Sequence, residues 1–244
     1  MTTPVDEDRS ELLMELLADT RLDAVSARRP LSPVPDFLRI PPDRSNLVAL
    51  PEPAAPRAGL PDVLLDRVSV HYFTPAALTG AELAAMLDAA ERMDAQSWPQ
   101  ERAAGVDLEL YCAAWRVTGL GTGLYRYLPE KAALCRVAGL PDGAAAEELV
   151  LQREFAWAPA LILITGNLAG ALDRHGSHGH RLLLARAGAA GNAAWLAALR
   201  LHLGGTVFAG LLPHVLRERA GADGYHRAAL IAFAAGQPAT GAPA

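Results

Sequence analysis

The amino-acid sequence predicts an α+β fold, and three observations lead to this prediction. A capped helix begins near Thr79, two strand-like segments flank a glycine-containing turn around residue 121, and a long apolar helix begins near residue 181. The chain has 244 residues, of which 51% are hydrophobic and 20% are charged. A chain of this length and composition can bury a sizeable core, so we expect one domain, or one domain with an extension.

Residues 1–60 are predicted to form an N-terminal helix and a proline-rich strap, and residues 61–244 the folded domain. An amphipathic helix that needs a partner surface is indicated over residues 11–25 by Leu12, Leu13, Leu16, Leu17 and Leu22. Nine prolines lie between residues 29 and 61. Because proline lacks an amide donor and fixes its φ angle, this stretch is predicted to be extended.

Helices and strands follow in mixed order through the domain. Thr79 and Glu82 form a predicted capping box, in which each side chain bonds the other residue's backbone amide. The predicted helices cover residues 62–67, 81–93, 144–152, 181–203 and 211–219, and the predicted strands cover residues 107–117, 124–127, 134–137, 159–165, 206–208 and 229–234. The helix over 181–203 is apolar all round, so we expect it to be buried in a core or against a second subunit.

The charge balance and the termini narrow the possible partners. The formal net charge is -5, whereas nucleic-acid binders usually carry a basic face. The N-terminus lacks the basic start and apolar core of a signal peptide, and apolar runs such as 156–164 are too short to span a bilayer. We therefore expect a cytoplasmic protein without nucleic-acid or membrane partners.

Cys112 and Cys135 are interpreted as small buried apolar residues.

Three polar residues, Arg67, Ser69 and His71, stand at alternate positions in an extended run. Alternation places the three side chains on one face, where a guanidinium, a hydroxyl and an imidazole together can hold a phosphate. The alternative is an exposed strand edge that carries polar residues. The residues themselves leave both interpretations open.

A histidine-rich stretch contains His175, His178 and His180. Three imidazoles can ligate zinc, but the HExxH spacing is absent and only one aspartate is near. Gly176 and Gly179 are expected to break any helix here. We therefore predict no metal site and interpret the stretch as an exposed or pocket-lining loop.

Glycines and tryptophans mark further positions of interest. Gly204-Gly205 follows the long helix and precedes a strand, where glycine lets backbone amides approach a ligand. A GxGxxG fingerprint after a strand, a GK[ST] phosphate loop and a GxSxG elbow are all missing from the sequence. Trp115, Trp157 and Trp195 fall in apolar segments and are predicted to pack in the core.

Short motifs follow one another along residues 45–236. The matching residues are Leu50-Pro51, Arg67 to Phe73, Ala104-Gly105 with Glu109-Leu110-Tyr111, Gly119-Leu120 with Gly123 to Tyr127, Ala158-Pro159 to Thr165, Gly176, Gly179 and Arg181, Ala187-Gly188 with Asn192, and Gly204. In this order they resemble the sequence motifs of nitroreductase-type flavin proteins, which are LP, RRSxRxF, SAGxxxPxELY, GLxxGLYRY, APxxxxxT, KYGxRGYR, EAGHxxQN and GLG. The SagB-type dehydrogenases are the branch that the chain resembles most.

The resemblance implies a nitroreductase-type fold, with a central, mostly antiparallel sheet flanked by helices and FMN bound at a dimer interface. SagB-type enzymes oxidise peptide thiazolines and oxazolines to thiazoles and oxazoles while ribosomally made peptides are modified, so the implied substrate is a modified precursor peptide. The implied cofactor-binding residues are Arg67, Ser69 and His71 at the phosphate, Gly105 near the flavin ring, and Asn192, Gly204 and Gly205 along the cofactor's border.

Several positions depart from the family's text. Where azoline-oxidising relatives carry a lysine-tyrosine pair, this chain has Arg174-His175. Arginine stays protonated at physiological pH, whereas imidazole titrates near neutrality, so His175 is the candidate base for the azoline carbon proton. The other replaced positions are His71 for the second arginine of the first motif, Ala103 for the serine of SAG, and Arg186, Ala189 and Gly191 in the EAGHxxQN text.

Two functions from different classes follow from these features. The first is an FMN-dependent oxidoreductase acting on a heterocycle-bearing peptide, with His175 and Arg174 at its catalytic position. The second is a degenerate, non-catalytic subunit that pairs with an active homologue or presents a peptide. A homodimer fits the first function and a heterodimer with a related subunit fits the second.

Overall fold

Seven strands form one sheet in the computed structural model of the chain, which describes residues 4–24, 32–39, 45–65, 67–141, 146–147, 149–211 and 213–239. The strands are β1 (Leu47–Ala49), β2 (Leu108–Ala114), β3 (Gly123–Leu128), β4 (Ala133–Ala138), β5 (Ala160–Gly166), β6 (Gly204–Phe208) and β7 (Ala228–Gly236). Their order is β1-β4-β3-β2-β5-β7-β6, and all neighbouring strands are antiparallel. The predicted α+β fold with a central antiparallel sheet is confirmed.

Helices cover both faces of this sheet. Those within the described residues are α1 (Pro4–Asp19), α2 (Leu60–Leu65), α3 (Gly80–Ser97), α4 (Pro99–Ala104), α5 (Leu168–His175), α6 (His178–Arg200) and α7 (Pro213–Ala220). The long helix α6 packs against α3 and α5 and against strands β5, β6 and β7. It therefore connects most elements that surround the candidate site.

Two hydrophobic cores lie on opposite sides of the sheet. Strand β5 is buried along its whole length, so it contributes to both cores. Ile162 and Ile164 point into the core shared with α3 and α6, whereas Leu161 and Leu163 point into the core that contains Phe155. This alternation is the period of two expected for a strand, and it explains why the segment reads as a continuous apolar run.

The local signals in the sequence predicted the middle of the domain well. Thr79 Oγ1 accepts a hydrogen bond from the Glu82 amide at 3.1 Å, and Glu82 Oε2 accepts one from the Thr79 amide at 2.9 Å, so the capping box is confirmed. Strands β2 and β3 pair as the predicted hairpin, from Tyr111 opposite Arg126 to Ala114 opposite Gly123.

Other expectations were wrong. The histidine-rich stretch is not a loop, because His175 ends α5 and His178 begins α6, with only a turn at residues 176–177. The part of the predicted helix 144–152 that the structure describes holds 3-10 turns and an isolated bridge from Val150 to Leu211. Trp157 is 52% exposed, so it is not a core residue, whereas Trp195 is 8% exposed and lies in the core, as predicted.

The N-terminal region partly joins the folded domain. Within the predicted strap, β1 pairs with β4 at the edge of the sheet, and Val34 is buried in the larger core. Helix α1 leaves its leucines half exposed along residues 12–17. The division of the chain at residue 60 remains a prediction.

Helix α6 is long enough to span a membrane and has a mean hydropathy of 1.3, although no membrane-spanning segment was predicted from the sequence. Half of the apolar window is buried inside the protein, between α3 and the sheet. A core helix of a soluble domain has the same properties, because it is also surrounded by apolar side chains.

Candidate active site

The segment that carries Arg67, Ser69 and His71 runs along the edge strand β6. The Val70 amide donates to the Gly205 carbonyl at 3.1 Å, and Thr206 Oγ1 donates to the Val70 carbonyl at 2.9 Å. These bonds fix the middle of the segment in an extended form. The segment is therefore extended, although it is not part of a regular strand.

Close packing accounts for the two glycines of β6. A Cβ on Gly204 would lie 2.8 Å from Val70 Cγ2, and a Cβ on Gly205 would collide with the carbonyl oxygen of Ala234. The absence of side chains lets the segment 67–73 and strand β7 approach β6 from either side. Gly204 and Gly205 thus place the polar segment, whichever ligand it holds.

Arg67, Ser69 and His71 are exposed, while Val70 is half-buried between them. The guanidinium carbon of Arg67 lies 4.6 Å from the centre of the Trp195 ring on α6. Among the described residues, no carboxylate lies within ion-pair distance of Arg67. None of these residues therefore neutralises its charge.

The other members of this group differ in exposure and in partners. His71 Nδ1 lies 3.9 Å from Glu154 Oε1, and its ring meets Phe155 edge-on at 5.3 Å. Asn192 is exposed on α6, one turn before Trp195. We call Arg67, Ser69, His71, Asn192, Gly204 and Gly205 the phosphate-side group.

Arg174 and His175 lie in a second group, at the end of α5. Arg174 Nε donates to Glu101 at 3.2 Å, and His175 Nε2 lies 2.7 Å from the same carboxylate. Burial opposes ionisation of Glu101, but the hydrogen bond from His175 and the charges of His175 and Arg174 outweigh it and hold the pKa of Glu101 below its ordinary value. Glu101 therefore fixes both candidate catalytic side chains.

The pairing with Glu101 also determines how His175 can act. A carboxylate only accepts hydrogen bonds, so Nε2 of His175 carries a proton, and whenever the imidazole is neutral Nδ1 is its acceptor. No described residue is bonded to Nδ1. An imidazole oriented by a carboxylate in this way has the geometry of a general base.

Gly105 lies one turn beyond Glu101, at the end of α4. Its φ of +92° is in the left-handed region, which favours glycine. The side chain of Arg39 lies directly over it, where a Cβ on Gly105 would collide with Nε. Asn167 Nδ2 donates to the Leu38 carbonyl at 2.9 Å and so holds this part of the strap in place. Gly105, Arg174 and His175 form what we call the α4–α5 group.

The two groups lie at opposite ends of α6. Arg67 rests on Trp195 near the end of the helix, whereas His175 precedes its first residue, His178. At about 1.5 Å per residue, the distance from His178 to Trp195 along the helix axis is about 25 Å. The structure therefore places Arg67 and Asn192 near the end of α6 and His175 next to its start, so the nine predicted residues do not form one cluster.

A charged cavity near the α4–α5 group was missed by the sequence analysis. It has a volume of about 560 Å³ and is lined by Arg39, Asp107, Glu109 and Arg126 among others. Burial raises the pKa of Asp107 above its ordinary value, against the opposing charges of Arg102 and Arg39. The cavity adjoins a small one of about 40 Å³ that includes Gly105.

Glu109 is the centre of an ion network beside this cavity. It pairs with Arg126, accepts from Arg227 Nε at 3.0 Å and accepts from the Tyr111 hydroxyl at 3.1 Å. Its one sequence signal is the alternation of Glu109 with Tyr111 in an otherwise apolar strand. That signal indicates a polar site; Arg126 comes from the neighbouring strand β3 of the predicted hairpin, whereas Arg227 comes from a distant loop that no local signal identifies.

Comparisons with known proteins identify the family of the chain. The model of the family described as the nitroreductase family matches residues 64–236, more than half of the chain. The protein MJ1384 of Methanocaldococcus jannaschii, assigned as a nitroreductase, is 30% identical over 166 residues, which cover 65% of this chain and 82% of that protein.

Three solved structures share the fold. A protein of Anabaena variabilis assigned as a nitroreductase superimposes with a TM-score of 0.72 at 22% identity over 94% of this chain, and the chain spans 47% of that structure's length. A counterpart from Ralstonia eutropha has a TM-score of 0.60 at 21% identity, with 87% of this chain and 100% of that one covered. A chain of the E. coli microcin synthetase McbBCD complex with truncated pro-MccB17 bound has a TM-score of 0.57 at 17% identity, covering 97% and 95%.

Proposed function

Because the chain belongs to the nitroreductase family of flavin-dependent oxidoreductases, we propose that it is an FMN-dependent dehydrogenase that oxidises azolines to azoles in a ribosomally made precursor peptide. The observation that carries the proposal is the exposed guanidinium of Arg67, which has no carboxylate partner among the described residues and lies two positions before the exposed Ser69. A cation and a hydroxyl suit the phosphate of FMN.

The phosphate-side group fits one end of the cofactor. Arg67 would supply charge, Ser69 a hydroxyl and His71 an imidazole. Asn192 is exposed on the adjacent turns of α6 and would offer an amide. Gly204 and Gly205 would border the cofactor indirectly, by holding the segment 67–73 in position.

A dimer would let one flavin contact both groups. Trp195, which holds Arg67, and His178, which follows His175, lie about 25 Å apart along α6, so the two groups lie near opposite ends of this helix. A dimer would combine the phosphate-side group of one subunit with the α4–α5 group of its partner. This arrangement supports a homodimer in the active form of the protein.

His175 would remove the proton in the proposed reaction. When bound, FMN would supply the hydride acceptor. Nδ1 of His175 would take the proton from the azoline carbon, while Glu101 stabilises the imidazolium that forms. Arg174 shares Glu101 and also donates to the Ser32 carbonyl at 2.6 Å, so its role would be to hold the pair in place.

A peptide substrate is supported by the likeness to the microcin synthetase chain, which was solved with a truncated precursor bound. The exposed leucines of α1 offer a surface on which a peptide or a partner subunit would pack. We expect the reaction in the cytoplasm, where precursor peptides are made.

A non-catalytic subunit is the second candidate, and one observation favours it. The guanidinium of Arg39 covers Gly105, the position expected near the flavin ring. If Arg39 stays there in the dimer, the ring has no access to Gly105. The chain would then pair with an active homologue or present the peptide.

The first test is an absorption spectrum of purified protein with and without added FMN. A bound-flavin band together with turnover of an azoline peptide supports the dehydrogenase. His175→Ala should then lose activity but keep the band, whereas His178→Ala, the matched control on the next helix, should keep both. A folded but colourless protein would refute the proposal and favour the second candidate.

A further inference from the structure

We propose that Trp195 is a positioning residue for phosphate binding, because its indole face holds the guanidinium of Arg67 in the orientation that grips the anion. This inference rests on the proposed function in one respect, that the phosphate belongs to FMN. Neither the motifs nor the family's text pointed to Trp195, which the sequence indicated only as a core residue.

No hydrogen bond joins the Arg67 guanidinium to another residue in the part of the chain that the structure describes. The guanidinium carbon lies over the Trp195 ring, 4.6 Å from its centre and within the range of about 6 Å for a cation–π contact. A guanidinium that stacks on an aromatic face directs its five N–H donors outward in its own plane. The indole therefore restricts the orientation of Arg67 without using any donor that a phosphate needs.

Trp195 itself is rigidly held. The residue is 8% exposed and belongs to the core between α6 and the sheet. Its Nε1 is buried and has no hydrogen-bond partner among the described residues. Packing alone thus fixes the ring, and a change to phenylalanine removes no hydrogen bond.

A fixed cation binds an anion more tightly than a mobile one. A free arginine side chain samples many rotamers, and ordering them on binding costs affinity. The stacking contact orders Arg67 before the phosphate arrives. Ser69 lies two residues further along the extended segment, and its hydroxyl would donate a hydrogen bond to the same phosphate.

The test compares FMN with riboflavin, which differs only in lacking the phosphate. Equilibrium dialysis of the full chain gives both affinities for the wild type, Trp195→Phe, Trp195→Leu, Arg67→Gln and the double variant Trp195→Leu/Arg67→Gln. Trp195→Leu should lower the FMN-to-riboflavin affinity ratio about two- to fivefold, the range of an exposed cation–π contact. Trp195→Phe, which keeps a weaker aromatic face, should lie between the wild type and Trp195→Leu.

The double variant separates positioning from general damage to the fold. If Trp195 acts through Arg67, Trp195→Leu should change the ratio no further once Arg67 is glutamine. The Nε–H resonance of Arg67 in the ligand-free protein should also lose its ring-current shift in Trp195→Leu. Because this readout needs no flavin, and because Trp195→Phe preserves the packing, the proposal stays testable if Trp195→Leu folds poorly.

The outcomes distinguish this proposal from the proposed function. The role of Trp195 would be overturned if Trp195→Leu lowered the affinities for FMN and riboflavin in equal proportion. It would also be overturned if Trp195→Leu changed the affinity ratio as much in the Arg67→Gln variant as in the wild type. Either result would leave the proposed flavoprotein function intact. If the wild type binds neither flavin, the proposed function fails. Titration with inorganic phosphate, followed by Trp195 fluorescence, then decides the positioning role by itself, and no response would overturn it.

Discussion

The buried pair of Asp94 and Arg186 gives the sharpest prediction about stability. Arg186 is fully buried on α6, and Nε and Nη2 donate to the two oxygens of Asp94 at 2.8 and 2.9 Å. Its remaining nitrogen, Nη1, donates to the Val106 carbonyl at 2.9 Å. One side chain thus joins α3, α6 and the entry to β2.

Removing one partner leaves a charge buried without its counter-ion. We expect Asp94→Leu to lower the free energy of unfolding by about 3–5 kcal/mol, the usual cost of breaking such a pair. That is a large part of the roughly 5–15 kcal/mol by which domains are stable. The single variant Arg186→Met should cost a similar amount, since Asp94 then keeps only Arg102, at 3.4 Å.

The double variant Asp94→Leu/Arg186→Met should recover most of the loss, because it removes both charges and fills the space with apolar atoms. Urea unfolding followed by circular dichroism measures all four proteins, with m-values compared to confirm that only stability changes. If the double variant costs as much as the two single changes together, the pair is not coupled and the reasoning fails. A cost below about 1 kcal/mol for Asp94→Leu would be equally damaging.

Further changes test the local structure and the titration of the site. Thr79→Ala should cost about 1 kcal/mol in urea unfolding through loss of the capping box. Gly205→Ala should cost about 1–3 kcal/mol by overpacking, whereas the control Gly188→Ala, where a Cβ meets nothing within 4 Å, should gain up to about 1 kcal/mol. Because the folded-state pKa of Glu101 is lowered, its contribution is present above its unfolded pKa and is lost as pH falls through the folded value. Wild type should therefore lose stability more steeply than Glu101→Gln as pH falls below about 4.5, and parallel pH profiles would contradict this.

The sequence predicted the elements that short-range signals specify. The capping box is complete within four residues, from Thr79 to Glu82, and the β2–β3 hairpin is defined by alternation around a glycine turn. Strand β5 was found from one uninterrupted apolar run. In each case the structure is fixed by residues close together in sequence.

Long-range partners could not be predicted in this way. Strand β1 has only three residues, and its partner β4 lies more than 80 positions away. The error at His175–His180 has a related cause, because Gly176 and Gly179 were taken as helix breakers. Gly176 does end α5, but a Cβ on Gly179 would collide with the Ala171 carbonyl, so the second glycine allows α5 and α6 to cross closely.

The site shows the same division between local and distant signals. The extended form of the segment that carries Arg67, Ser69 and His71 was predicted from local alternation, and the placement of their side chains at one ligand stays a prediction. The carboxylate that holds His175 was not foreseen, because Glu101 lies 74 positions earlier in the chain. A sequence alone gives no register between two such helices.

Two of the residues that differ from the family's motifs have buried carboxylates as partners in the structure. Arg186 and Arg174 stand at replaced positions, and each meets a buried carboxylate from α3 or α4, Asp94 and Glu101 respectively. A buried arginine without such a partner would destabilise the fold by several kcal/mol, so each replacement requires its carboxylate. The chain therefore holds matched pairs at these positions, and each pair ties α5 or α6 to the helix that packs beside it, so the replaced residues stabilise the fold around the α4–α5 group.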